Sequence, residues 1–173
     1  MDVAHEAARP FRTVIRVRGL LDSDRLIPNS TTKPHEIAAS LRRYDIQVHV
    51  LTLREAENYI PDKALLKAHG DETHRQRVTA LSRLTDKQRG YFDMKSGFQR
   101  EQDGSVRIPP AQKELFATLD DETLNIIAAG FGRKILECLA DGTADLAVED
   151  FATLGQAVEA ELRLLLKMIS EVV

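Results

Sequence analysis

Residues 11–21, FRTVIRVRGLL, are β-branched and partly alternating, which predicts a strand. The next stretch, LIPNSTTKP at 26–34, is dense in turn formers and polar groups. Over 34–44 the apolar residues Ile37, Leu41 and Tyr44 recur at helical spacing, and Pro34 suits a first helical turn. Residues 46–53, IQVHVLTL, alternate again and predict a second strand. Strand, helix and strand within about 40 residues form a βαβ unit, with parallel strands and a right-handed crossover.

Beyond residue 53 the period lengthens to that of a helix. Helices are expected over 55–69, 71–84, 111–119 and 121–139, the last re-aimed by Gly130-Phe131-Gly132. Residues 85–98 begin like a capped short helix and break at Gly97, and 101–110 read as a polar loop with a brief extended piece. The strongest helix is expected over 148–172. There Phe151, Leu154, Val158, Leu162, Leu165, Ile169 and Val172 fall on one stripe. The expected layout is therefore α/β: a partial parallel sheet with flanking helices over 1–100, then a C-terminal all-helical region over 101–173. The long helix reads as core, with 151, 158, 165 and 172 as an alternative partner seam for a homo-oligomer.

Composition alters this picture little. Apolar residues are 43% and charged residues 29%, which suits a globular domain. No apolar run approaches the ~20 residues that span a bilayer, and the acidic N-terminus without an apolar stretch leads to no expectation of a secretion signal. Cys138 is the sole cysteine and sits on an apolar helical stretch, so an internal disulfide is excluded and a cytoplasmic setting is expected. The charge is unevenly spread. Residues 1–100 carry 18 Lys+Arg against 13 Asp+Glu, whereas residues 101–173 carry 6 against 14. The front half can meet a phosphate backbone more readily than the rear.

Candidate chemistry lies where the two strands end. Asp22 and Asp24 follow the first, and Glu55 and Glu57 follow the second, inside Arg54-Glu55-Ala56-Glu57-Asn58-Tyr59. Parallel strands send both acidic pairs to one edge of the sheet, where α/β folds bind ligands. Four carboxylates there repel by a few kcal/mol per close pair, at an effective dielectric of about 20, unless a proton or cation intervenes. Oxygen donors without His or Cys favour Mg²⁺, Mn²⁺ or Ca²⁺ over zinc. The five histidines show no metal-ligand spacing. The plainer alternatives are that the aspartates cap a turn and that the glutamates sit in the first turn of a helix. Residues two apart on a helix do not share a face, so at most one glutamate, Glu57 ahead of Glu55, need point at an ion. Tyr59 is expected to pack under the sheet. Arg25 and Arg54 flank the acids and suit either phosphate contact or ion pairing.

The pairing of Asp22-Ser23-Asp24 with Arg54-Glu55-Ala56-Glu57-Asn58-Tyr59 one βα unit later resembles the TOPRIM domain of OLD-family (overcoming lysogenization defect) nucleases. The similarity covers roughly 12–100 and, more loosely, Gly130-Phe131-Gly132. It implies Mg²⁺ or Mn²⁺ held by Asp22, Asp24, Glu55 and Glu57 for cleavage of DNA or RNA, with DNA the expected partner here and Glu57 also placed in the catalytic set. Lys95, in Tyr91-Phe92-Asp93-Met94-Lys95-Ser96-Gly97-Phe98, matches the family's phosphate-contacting lysine; the plainer reading is a loop lysine. The chain departs from the pattern in lacking an upstream strand that ends in glutamate, and it has no G-x-x-x-x-G-K-[ST] ATPase motif. A truncated gene, a strand supplied by a partner, or lost catalysis would each account for this. The alternative function is a non-catalytic α/β interaction subunit, beside an ATPase for example, with a degenerate acidic rim.

Overall fold

The computed structural model describes residues 18–68, 71–133, 135–137 and 146–170. The expected strand segment 11–17, His5, His69, Cys138 and Val172 lie outside these. Strand β1 (Arg18–Leu21) pairs in parallel with β2 (Gln47–Val50), Gly19 opposite Val48 and Leu21 opposite Val50. Helix α1 (Lys33–Arg42) crosses between them. The chain is thus mixed α/β with a small parallel sheet flanked by helices.

Strand alternation decides what covers each face. Val48 and Val50 turn toward Ala38, Leu41 and Tyr44 of the α1 region. His49 and Leu51 turn the other way, where α6 (Val148–Ala152) and α7 (Gln156–Ser170) lie. Val158 and Leu154 are buried there against Leu51 and Tyr59, while Phe151, Leu162 and Leu165 are partly buried. Tyr59 packs as expected, and the stripe holds as far as Leu165; Ile169 is 65% exposed. The expected single helix 148–172 is two helices. Gly155 adopts φ +99°, a positive-φ conformation between α6 and α7 that glycine tolerates best.

Between these parts run α2 (Asp62–Ala68), α3 (Glu72–Leu81), α4 (Asp86–Tyr91) and α5 (Asp121–Ile127). Asp71, Thr85 and Asp120 cap α3, α4 and α5 by accepting the N–H of His74, Gln88 and Thr123. The helix expected over 55–69 is instead a 3-10 turn, Ala56–Tyr59, followed by α2. Pro61 lacks an N–H and starts the new helix rather than continuing the old one. The 101–110 loop closes a two-residue antiparallel hairpin, β3 (Gln99–Arg100) with β4 (Val106–Arg107), so the rear region is not all-helical. The helix expected over 111–119 is a 3-10 turn, Pro110–Gln112, followed by irregular turns. Gln112 is drawn inward there, its amide donating to the carbonyls of Leu26 and Tyr91 at 2.9 and 2.7 Å.

Apolar packing runs across residue 100. One core joins Ile60, Leu65, Leu81, Phe92, Met94 and Phe98 to Phe116, Ile127 and Ile135. Phe98 meets both Phe92 and Phe116 edge-on, with centroids 5.3 and 5.0 Å apart. Each fully buried large side chain contributes about 1.5–3 kcal/mol. Among the described residues no helix is long and apolar enough to cross a membrane.

Candidate functional site

The tips of the two strands meet. The Asp24 N–H donates to the Arg54 carbonyl at 2.9 Å, and the Ser23 hydroxyl donates to the Leu53 carbonyl at 2.7 Å. Asp22 Oδ1 accepts the Ala56 N–H at 2.9 Å. Asp22 therefore caps a turn, but the one after the second strand rather than the one following its own. Asp24 is exposed at φ +53°, a conformation that Asp tolerates better than most residues. Its carboxylate meets no donor among the described residues.

Asn58 sets the shape of the second tip. It is 1% exposed. Its Oδ1 accepts the Glu55 N–H at 3.1 Å, and its amide donates to the carbonyls of Arg89 and Phe92 at 2.8 and 3.0 Å. The first bond closes the Ala56–Tyr59 turn, and the other two pin it to the end of α4. Glu55 precedes the turn in extended conformation, φ −150° and ψ 165°. The helical spacing rule does not apply across that boundary, so both glutamates face one point: Lys95 Nζ lies 3.1 Å from Glu55 Oε2 and 3.1 Å from Glu57 Oε1.

All three groups are shielded to different degrees. The Glu57 and Glu55 side chains are 4% and 8% exposed, and that of Lys95 is 31%. Glu55 Oε1 accepts the Met94 N–H at 3.0 Å. Glu57 Oε2 is buried and accepts nothing in the described structure. Burial raises the Glu55 carboxyl above its ordinary range; the Lys95 hydrogen bond opposes this in part, and the charges of Asp93 and Glu57 add to it. Burial lowers the Lys95 ammonium, but its hydrogen bonds to Glu55 and Glu57 outweigh that and leave it raised.

The loop that carries Lys95 is clamped by a second loop. Phe131 and Gly132 donate their N–H groups to the carbonyls of Met94 and Lys95 at 2.8 and 2.9 Å, and Phe98 donates to Ala128 at 2.9 Å. Gly97 and Gly130 sit at the crossing with φ +66° and +61°. A Cβ on Gly97 would lie 2.2 Å from the Ala128 oxygen, and one on Gly130 would lie 2.5 Å from the Lys95 oxygen. Backbones approach this closely only through glycine.

The two arginines are committed locally. Arg54 pairs with Asp93 at 2.8 Å. Arg25 donates to the Ser30 carbonyl at 2.8 Å and contacts His35 Nε2 at 2.7 Å. Arg25 is always charged and can only donate, so His35 accepts at Nε2; burial and the Arg25 charge both lower the His35 pKa. Thus Glu55, Glu57 and Lys95 converge directly, Asp22 ties to the same turn through Ala56, and Asp24, Arg25 and Arg54 border it. Among the described residues no three of His, Cys, Asp or Glu stand close enough together to hold one ion.

Sequence reasoning missed Glu161. This carboxylate, 7% exposed, accepts His49 Nε2 at 2.6 Å, the Thr52 N–H at 2.8 Å and the Tyr59 hydroxyl. Burial and the adjacent Glu161 charge push the Tyr59 phenol strongly upward, so it stays a neutral donor. An acid three residues after Val158 and four before Leu165 was the available signal, because it lies on the apolar face. No family model, curated protein or solved structure matches the chain.

Proposed function

We propose that this chain is a nuclease-type module of the TOPRIM kind, using Mg²⁺ or Mn²⁺ against nucleic-acid phosphodiesters, DNA first. The observation that carries this reading is the orphaned Glu57 Oε2, a buried acceptor without a donor beside a second buried carboxylate. Such a group is costly unless something positive serves it. All the nearby acidic donors are oxygen, as a hard divalent ion prefers, and Mg²⁺ is commonly bound through only one or two protein carboxylates. Glu55 and Glu57 would hold the ion, and Asp22 and Asp24 border it from the other tip. When bound, the ion supplies Lewis-acid polarisation of a phosphoryl oxygen and a more acidic water. Asn58 and Asp22 keep the turn in place, the clamped loop holds Lys95 at its edge, and Arg25, whose partners are a carbonyl and His35, contributes positive charge nearby, while Arg54 would do so only on leaving Asp93.

The test is nicking of supercoiled plasmid DNA by the purified chain with Mn²⁺, with chelator and Glu57→Gln as controls. Metal-dependent nicking that Glu57→Gln abolishes supports the reading. Failure to cleave either DNA or RNA with Mn²⁺ present refutes it. One observation favours a second reading, a non-catalytic interaction subunit for an ATPase or a second copy: Lys95 already bridges Glu55 and Glu57, as in a closed structural ion cluster. In that case Mn²⁺ leaves the melting temperature unchanged.

A further inference from the structure

We infer that Lys95 is a tethered counter-cation, which a divalent ion displaces from Glu55 and Glu57 and which a nucleic-acid phosphate then captures, so that metal and phosphodiester bind cooperatively. This rests on the metal-dependent reading above, and it makes the lysine more than a fixed phosphate contact.

Charge counting gives the first reason. One ammonium faces two carboxylates, and one of their oxygens, Glu57 Oε2, is left without a donor. The trio carries net −1 when all three are ionised. A divalent ion in place of the ammonium brings the pair of carboxylates to zero. The same two oxygens cannot serve both cations at full strength, because Mg²⁺ draws its ligands to about 2.1 Å and excludes other cations from that shell.

Exposure gives the second reason. The Lys95 side chain is 31% exposed, whereas the carboxylates beneath it are 8% and 4% exposed. Solvent, an incoming ion and an incoming phosphate all reach the acids past the ammonium. Anchoring gives the third. The Lys95 carbonyl accepts from Gly132 and the preceding N–H of Met94 donates to Glu55, so the backbone stays where it is. The flexible four-carbon stem then swings alone and keeps the released ammonium at the rim. Phosphate that takes the ammonium spares the metal the cost of removing it, and by reciprocity the metal does the same for phosphate.

The test is a Mn²⁺ binding titration followed by electron paramagnetic resonance, on wild type and Lys95→Met, with and without a short phosphorothioate-linked DNA oligonucleotide. Lys95→Met should bind Mn²⁺ about tenfold more tightly than wild type, and the DNA should tighten Mn²⁺ about tenfold in wild type but not in the variant, within the usual range of coupling. If both proteins bind Mn²⁺ with equal affinity, or the variant binds more weakly, lysine and metal do not compete; the inference falls and the metal reading stands. If neither protein binds Mn²⁺, both fall. The wild-type arm with DNA decides the coupling even where the variant does not fold, since a flat response there overturns it.

Discussion

Replacing Gly97 by alanine tests the crossing of the two loops that presents Lys95. Two terms set the magnitude. A side chain at φ +66° costs about 1–2 kcal/mol of left-handed strain. The new Cβ would also lie 2.2 Å from the Ala128 oxygen and 2.5 Å from the Gly130 nitrogen, both backbone atoms that cannot rotate away. Relief requires the loops to part, which weakens the bonds from Phe98 to Ala128, Phe131 to Met94 and Gly132 to Lys95. At about 1 kcal/mol for each of the three bonds lost, the sum with the strain is roughly 4–5 kcal/mol. Gly104 is the control. It has φ +84°, but a Cβ there would meet nothing within 4 Å, so Gly104→Ala incurs only the strain. The strain is common to both variants, so with a urea slope of about 2 kcal/mol per molar the roughly 3 kcal/mol of lost bonds separates the two denaturation midpoints by about 1.5 M. Coincident midpoints would show that the loops do not cross in backbone contact, and the placement of Lys95 would lose its support.

Asn58→Asp should destabilise the fold by more than about 3 kcal/mol in urea titrations, because it aims a buried carboxylate at the carbonyls of Arg89 and Phe92. Tyr59→Phe and Glu161→Gln should each cost about 1–3 kcal/mol, and the double variant should cost less than their sum, since the hydroxyl and the carboxylate share one bond. Two pH dependences of the same sign, in separate pH windows, are expected at the acidic turn. The Lys95 pKa is raised on folding, so its contribution to stability is full below the unfolded value of about 10.4 and is lost as pH rises through the higher folded value. The Glu55 pKa is also raised, so its contribution is likewise lost as pH rises, but in the acidic window: it is full below about 4.3 and gone above the folded value. Thermal melts of Lys95→Met and Glu55→Gln across pH should each flatten the corresponding window.

The parallel pair and the meeting of its acid-bearing ends were legible because alternation is local and the crossover rule fixes direction. Val48 and Val50 against His49 and Leu51 carry that alternation into the fold. The convergence of Glu55 and Glu57 was not legible. It depends on Asn58 reaching carbonyls more than thirty residues onward, which takes Glu55 out of the turn. The contact of Lys95 with both acids, and the role of Glu161 beneath Thr52, are long-range pairings that no window of sequence contains. Breaks at Pro61 and Gly155 stood in plain view, but at Gly155 the apolar stripe continued across and masked the break.

The seat of Glu161 has a consequence for the order of assembly. His49, Thr52 and Tyr59 emerge early from the ribosome, yet the carboxylate that joins them lies more than a hundred residues further along. A nascent chain can pair its strands and still leave the floor of the acidic turn open until α7 has been made. The contacts of Thr52 and Tyr59 beneath the turn are therefore complete only after translation has passed Glu161.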